Sequence, residues 1–265
     1  MPEVSVIIPC YNQGRCIDEA VESVLAQSFD DYEIIIINDG STDKYTSELL
    51  KNYSRPKTKI IHTSNHGLSA ARNMAISEAS GKFILPLDAD DKIGKDYLLK
   101  ASEILNKERD IGILYCASEF FGDKKGKWNL PDYTMEKMLL ENLIFASAFF
   151  RKEDWQKVGG YNSNMKAGWE DWDFWLSIIS LGRKVYKIPD VLFYYRIKKH
   201  SMTKNLTTSD HVKLHTQIFY NHKNLFIDNM ESIFREMYDM KYSWAYRACK
   251  KFENLLRLFN KLFRI

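Results

Sequence analysis

The sequence predicts an α/β fold, a mostly parallel sheet flanked by helices and followed by a helical C-terminal extension. Three observations carry that expectation. Short β-branched runs alternate with helical periodicity from Val4 to Ala117, and the connections between successive runs are too long for hairpins. Polar residues gather at four successive strand ends: Tyr11 and Asn12, then Asp39, then Asn65, then Asp88 and Asp90. Ligands of such sheets bind beyond the carboxyl ends of the strands, so these residues outline a candidate site.

Val4 to Ile8 reads as a buried strand that Pro9-Cys10-Tyr11-Asn12 breaks into a loop. From Gly14 the apolar residues Ile17, Ala20, Val21, Val24 and Leu25 recur at helical spacing. Glu33 to Ile37 is a second strand, ending in Asn38-Asp39-Gly40-Ser41-Thr42-Asp43, where Ser41 or Thr42 can cap the next helix. Lys59 to Thr63 gives a third strand, and the loop Ser64-Asn65-His66-Gly67 leads to a helix over Ser69 to Ala79. Phe83 to Leu87 is the fourth strand; a helix near Lys95 to Asn106 and a strand Ile111 to Ala117 follow. Beyond residue 118 the alternation loosens into Gly, Lys and aromatic residues. Strand-like Ile144 to Phe150, a Gly159-Gly160-Tyr161 turn, a helix beginning near Glu170 and a strand Val191 to Tyr195 are expected there. With no repeat and no low-complexity linker, the simplest partition is one domain over residues 1–205 and a helical extension over 206–265.

Composition sets the bounds. At 265 residues, 45% hydrophobic and 28% charged, the chain is an ordinary globular one, and its 14% aromatic content suits either aromatic-lined pockets or a bulky core. Cys10, Cys16, Cys116 and Cys249 form no Cys-x-x-Cys pair and have no His at zinc-site spacing, which fits reduced thiols in the cytoplasm. The start lacks a basic segment before its short apolar run, so no signal peptide is expected. Residues 241–265 hold seven Lys/Arg against one acid, giving +6 of the overall +3 and leaving −3 for residues 1–240. The main body therefore carries no electrostatic footprint for nucleic acid.

Two acidic clusters can do chemistry. Asp88-Ala89-Asp90-Asp91 closes a strand, and alternation puts Asp88 and Asp90 on one side, suited to a hard cation; a solvated turn would look the same. Trp169-Glu170-Asp171-Trp172-Asp173-Phe174-Trp175 opens a helix, where the macrodipole favours acids. Three tryptophans in seven residues add a second reading, because bulky aromatics beside a carboxylate exclude water and raise its pKa toward that of a general base.

The segments Val6-Ile7-Ile8-Pro9-Cys10-Tyr11-Asn12, Asn38 to Asp43, Asn65-His66-Gly67-Leu68-Ser69-Ala70-Ala71-Arg72-Asn73, Asp88 to Asp91 and Trp169 to Asp173 together resemble the inverting family 2 glycosyltransferases of Rossmann-like GT-A fold. The likeness spans roughly residues 3–203, and five motifs in order make it specific. It implies a nucleotide-sugar donor, a UDP-sugar by preference, and a glycan or lipid-linked saccharide acceptor of the bacterial polysaccharide or glycolipid type. Residues 1–117 would form the nucleotide-binding half and 118–205 the acceptor half.

Pro9, Tyr11 and Asp39 would hold the uracil, Asp39 accepting its N–H. Asn65 and Arg72 would lie near the nucleotide, although Arg72 could equally be a helix-surface charge. Asp88 would face the ribose or sugar, and Asp90 would bind a divalent cation, Mn²⁺ or Mg²⁺. Asp171 would be the general base, with Glu170 orienting acceptor or sugar hydroxyls.

One position departs from the family pattern. Many relatives carry a His two residues beyond the Arg of Tyr194-Tyr195-Arg196; here that place is Lys198, and a His comes at His200. Either His200 completes the metal site or Lys198 supplies positive charge to the diphosphate. Residues 242–263 show a basic amphipathic pattern that suits peripheral contact with the cytoplasmic face of an anionic membrane, or packing on protein. The rival readings are a sugar-nucleotide nucleotidyltransferase, which would need a Gly-rich phosphate loop that Pro9 to Gly14 does not supply, and a nucleotide-binding module without catalysis.

Overall fold

The computed structural model describes residues 1–198, 206–244, 246–251 and 253, arranged as two compact units: Met1–Pro131 with Ile144–His222, and Asp132–Leu143 with Lys223–Ile265. The first unit opens with β1 (Val4–Cys10), α1 (Ile17–Leu25), β2 (Tyr32–Asp39), α2 (Lys44–Lys51), β3 (Thr58–Thr63), α3 (Leu68–Ser77) and β4 (Phe83–Pro86). It continues with β5 (Lys92–Ile93), α4 (Tyr97–Lys107), β6 (Ile111–Gly122) and β7 (Gly126–Trp128). The second unit supplies α5 (Met135–Leu140); the chain then returns to the first for β8 (Phe149–Arg151), α6 (Lys152–Val158), α7 (Glu170–Ile179), β9 (Lys184–Ile197) and α8 (Thr208–Asn221). The second unit resumes with α9 (Lys223–Asp228) and α10 (Met230–Tyr242), which packs on α5.

Among the described residues, nine strands form one sheet in the order β3-β2-β1-β4-β8-β6-β9-β5, with β7 paired to β6. The strands β3, β2, β1 and β4 are parallel, as their alternation with helices requires. Beyond them the sheet is mixed: β8 is antiparallel to both β4 and β6, while β9 runs parallel to β6. Every residue of β1 is buried, and Ile34 to Ile37 of β2 have no exposure, which is why those strands read as continuous apolar runs. In α1 the periodic residues Ile17, Ala20, Val21 and Val24 are the buried ones.

Three expectations shift. The cap of α2 is Asp43, whose Oδ1 accepts the Thr46 N–H at 2.8 Å, rather than Ser41 or Thr42. Those two hydroxyls are already taken by Asn12: Ser41 Oγ accepts its backbone N–H at 3.1 Å, and Thr42 Oγ1 accepts its amide at 3.0 Å. The strand expected over Ile144 to Phe150 shrinks to Phe149–Arg151. Side chains use the preceding carbonyls instead, Trp175 Nε1 donating to Ile144 at 3.1 Å and the Tyr97 hydroxyl to Ser147 at 3.1 Å. The strands expected over Ile111 to Ala117 and Val191 to Tyr195 both lengthen, because β6 and β9 pair along nearly their whole length. Among the described residues no helix is long and apolar enough to cross a membrane. The amphipathic pattern of residues 242–263 lies mostly outside the described residues.

The loops after β2 and β3 meet so closely that only glycine fits between them. Gly40 has φ +66°, and a Cβ there would collide with the backbone nitrogen of Asn65. Gly40→Ala is therefore expected to cost about 1–3 kcal/mol in urea unfolding; an unchanged midpoint would show that the two loops are not locked together.

Candidate active site

The parallel half of the sheet delivers polar side chains to one edge. The β1–β2 ladder ends at Cys10 opposite Asn38, the β2–β3 ladder at Asp39 opposite Thr63 and the β1–β4 ladder at Ile7 opposite Pro86, so Asp39 closes its strand and Tyr11 and Asp88 lie just beyond theirs. Asn12 fastens two of these ends together: besides its bonds to Ser41 and Thr42, its Oδ1 accepts the N–H groups of Thr42 at 2.8 Å and Asp43 at 3.0 Å. Asn12 takes a left-handed φ of 56°, a conformation that asparagine tolerates better than most residues. Pro9 is buried within β1, whereas the Tyr11 side chain projects into solvent with 44% exposure.

Asp39 is only 4% exposed, and backbone amides fix its carboxylate: Oδ1 accepts the His66 N–H at 2.8 Å and Oδ2 the Gly67 N–H at 3.0 Å. Asn65 lies beside it, donating its side-chain amide to the Asp39 carbonyl at 3.0 Å. Each Asp39 oxygen keeps further acceptor capacity, so a ligand N–H can add to these bonds.

Arg72 is not a surface charge. It lies on α3 at 1% exposure, with Nη2 2.8 Å from Asp88 Oδ1 and Nη1 2.6 Å from Glu170 Oε1. Burial by itself would weaken the charged form, but the two carboxylates outweigh it and hold the guanidinium ionised. Its carbon Cζ also stands 5.4 Å from the centre of the Tyr161 ring, and Tyr161 stacks on Phe174 of α7 with centroids 4.1 Å apart. The next residue of α3, Asn73, secures that contact: its amide donates to the Tyr161 carbonyl at 2.8 Å, and its Oδ1 accepts from Tyr161 N at 2.8 Å and Trp155 Nε1 at 2.9 Å.

The chain enters α7 through Trp169, a left-handed non-glycine residue with φ 63°. That tight turn brings Glu170, Asp171 and Asp173 into the first helical turn, where the macrodipole stabilises acids. Glu170 and Asp173 are buried, and Asp171 is half-buried with its Oδ1 accepting the Trp172 N–H at 2.8 Å. Enclosure by protein is the main push on the Asp171 carboxyl and the Glu170 carboxylate the next; against the opposing pull of Arg72 they raise its pKa to about 7. Asp173 plays another part, accepting from Asn221 Nδ2 at 2.6 Å and standing 3.0 Å from His222 Nε2, so it ties α7 to the end of α8.

At the β4 end, Asp91 points inward at 2% exposure and accepts the Arg196 N–H at 2.8 Å. Burial, then Asp88 and Asp90, push its pKa well up. The Arg196 guanidinium reaches the Asp90 carbonyl at 2.7 Å. Asp90 itself is partly open, and its Oδ2 lies 2.8 Å from Lys198 Nζ, which also donates to Gln13 Oε1 at 2.7 Å. The Tyr195 phenol registers the convergence of these acids: burial first, then Asp91, Asp88, Asp90 and Asp171 push it up to about 12.

Asp90 and Asp88 offer the hard carboxylate oxygens that Mg²⁺ or Mn²⁺ takes one or two at a time alongside substrate phosphates, so the donor set fits such an ion, and Asp90 would be the residue to hold it. Among the described residues no group of three or more His, Cys, Asp or Glu closes around one point. His200 lies outside the described residues.

The structure thus gathers Asp88, Arg72 and Glu170 in one network, with Asp171 at its edge. It sets Tyr11, Asp39 and Asn65 along the neighbouring strand ends, and Lys198 on Asp90. Sequence reasoning missed Gln13, Asn73, Asp91, Tyr161 and His222. Alternation along Leu87 to Asp91 was a usable signal for Asp91, since it shares the inward side with Ala89; the others depend on partners far away in the chain.

Known proteins carry the same architecture. Residues 1–349 of S. aureus TarS, solved with UDP-GlcNAc, superpose with a TM-score of 0.69 at 20% identity, over 83% of this chain and 66% of that one. Bacillus subtilis TuaG, a glycosyltransferase provisionally named for teichuronic acid biosynthesis, is 31% identical over 213 residues, 77% of this chain and 82% of TuaG. Chondroitin synthase of Pasteurella multocida is 28% identical over 215 residues, which make up 78% of this chain and 22% of the synthase. Against the chondroitin and hyaluronan synthases, this chain spans about a quarter of their length or less. The class these relatives define is that of glycosyltransferases. Within it, residues 5–170 match Glycosyl transferase family 2, and the chain belongs to that family.

Removing one partner from a buried ion network strands the others. Arg72→Met is expected to lower stability by about 3–5 kcal/mol in chemical denaturation, and adding Glu170→Gln to restore part of the loss. An unchanged midpoint for Arg72→Met would contradict the network.

Proposed function

We propose that this family 2 glycosyltransferase moves a sugar from a UDP-sugar to a saccharide acceptor with inversion, and that Asp171 is its general base. The observation that carries the reading is the placement of the Asp171 carboxyl at the start of α7 beside the Arg72–Asp88–Glu170 network, where burial and the Glu170 carboxylate push its pKa up toward neutrality. A base must be ionised at working pH and yet basic enough to take a hydroxyl proton; a carboxyl near neutrality meets both demands.

In this reading Tyr11 offers its exposed ring to the uracil above Pro9, and Asp39 adds the uracil N3–H to its two amide bonds. Asn65 and Arg72 border the nucleotide, Arg72 acting through the Asp88 carboxylate it holds toward the ribose or sugar. Asp171 takes the proton as the acceptor oxygen bonds to the anomeric carbon from the opposite face. The bond from that carbon to the diphosphate breaks in the same displacement, and its electron pair leaves with UDP. Glu170, fixed by Arg72, lines the path of the acceptor or sugar hydroxyls. A divalent cation, when bound at Asp90 with or without His200, supplies positive charge to the departing diphosphate. Lys198 adds a second positive charge to that end.

TuaG and the chondroitin synthases support a glycan or lipid-linked acceptor of the bacterial surface type, and TarS with UDP-GlcNAc supports a UDP-linked donor. We assign donor binding to residues 1–117, acceptor binding to 118–205 and an accessory role to 206–265. The basic pattern of 242–263 supports peripheral contact at the cytoplasmic face of a membrane.

Asp171→Asn is expected to lower transfer from a UDP-sugar by about 10²–10⁴-fold while leaving UDP affinity in place. In the wild type kcat/KM should rise with pH and level off above about 7, because the protonated carboxyl cannot accept the hydroxyl proton. Stability gives a second check. As pH rises from the ordinary carboxylate value toward about 7, the unfolded chain ionises at this position before the folded one. Wild type then loses stability that Asp171→Asn keeps, so the variant should melt higher above neutrality and alike in acid. Near wild-type transfer by a folded Asp171→Asn would remove Asp171 from the mechanism.

A further inference from the structure

Lys198 and a divalent cation need the same carboxylate. Its ammonium lies 2.8 Å from Asp90 Oδ2 and is held from the other side by Gln13 Oε1 at 2.7 Å, so the β1 loop and the end of β9 fix it together. The Lys198 and Asp90 side chains are 29% and 26% exposed, enough shielding to strengthen the pair and enough opening for an ion to arrive. A doubly charged cation on Asp90 would meet the ammonium at close range, and like charges sharing one anion repel. A nucleoside diphosphate changes that balance, because its oxygens accept from an ammonium and ligate a cation at once.

We propose that Lys198 is a latch on Asp90: it closes the carboxylate to Mn²⁺ or Mg²⁺ in the free protein and releases it when a diphosphate gives the ammonium a second anion. Cation and nucleotide binding are thereby coupled, and the free enzyme stays metal-poor. The latch rests on the assignment of the cation to Asp90 made above.

Mn²⁺ binding followed by electron paramagnetic resonance, with and without UDP, tests it independently of turnover. The wild type without UDP should bind Mn²⁺ weakly, and UDP should tighten it. Lys198→Met should tighten Mn²⁺ binding to the free protein by about tenfold or more and shrink the effect of UDP, whereas Lys198→Arg should behave as wild type. Thermal melts of each variant establish that it is folded. If Asp90→Asn abolishes Mn²⁺ binding in the UDP complex while Lys198→Met leaves the free protein's affinity unchanged, the latch is wrong and the cation assignment stands. If Asp90→Asn leaves Mn²⁺ binding in the UDP complex intact, or the wild type has none, the cation assignment falls and the latch with it.

Discussion

Arg72 sits out of water with Asp88 at 2.8 Å on one amino group and Glu170 at 2.6 Å on the other, and the site's geometry hangs on that side chain. A lone buried guanidinium would be far too costly to keep, and without it the buried Glu170 and the half-buried Asp88 carboxylates would repel; the three are tolerable together. They come from α3, the end of β4 and the start of α7, elements separated by 16 and 98 positions in the chain. The network therefore couples the strand end to the helix that carries Asp171. With whole domains stable by only about 5–15 kcal/mol, a rupture expected to cost several is a large share of the total.

The same network sets the electrostatics around Asp171. Enclosure and Glu170 oppose its ionisation, while Arg72 favours it, and the result is a carboxyl near neutrality rather than one fully ionised or fully suppressed. Asp88, anchored on Arg72, adds a smaller push in the direction of Glu170. On the other side of the strand end, Asp90 is kept from the network by facing Lys198, and Asp91 by turning into the core. Four successive positions in one turn thus have different fates: Asp88 to a guanidinium, Ala89 to the core, Asp90 to an ammonium, Asp91 to a backbone amide.

Much of this was legible in the residues. The runs Val6 to Ile8 and Ile34 to Ile37 are buried on both faces and are apolar throughout, which makes a central parallel strand hard to mistake. Asp39, Asp88 and Asp171 stood out because polar groups at strand ends and acids among tryptophans are improbable as mere surface. Arg72 was harder. A charge on a short helix reads as exposed, yet Ser69, Arg72, Ala75 and Ile76 all lie on its buried face, so the stripe pointed to it. The Lys198–Gln13 and His222–Asp173 contacts, 185 and 49 residues apart, leave no local trace. Strand limits such as Phe149–Arg151 depend on which carbonyls distant side chains claim, and periodicity does not report that.

The central claim is that Glu170 and the protein around it hold the Asp171 carboxyl near neutrality, poised by Arg72. The most direct measurement is a titration of protein labelled with ¹³C at the aspartate carboxyls, following Asp171 by NMR in the wild type and in Glu170→Gln, with Asp171→Asn to assign the signal. The structure predicts a midpoint near 7 that moves down when the neighbouring negative charge is removed. A wild-type midpoint at the ordinary aspartate value of about 4, unmoved in Glu170→Gln, would contradict it.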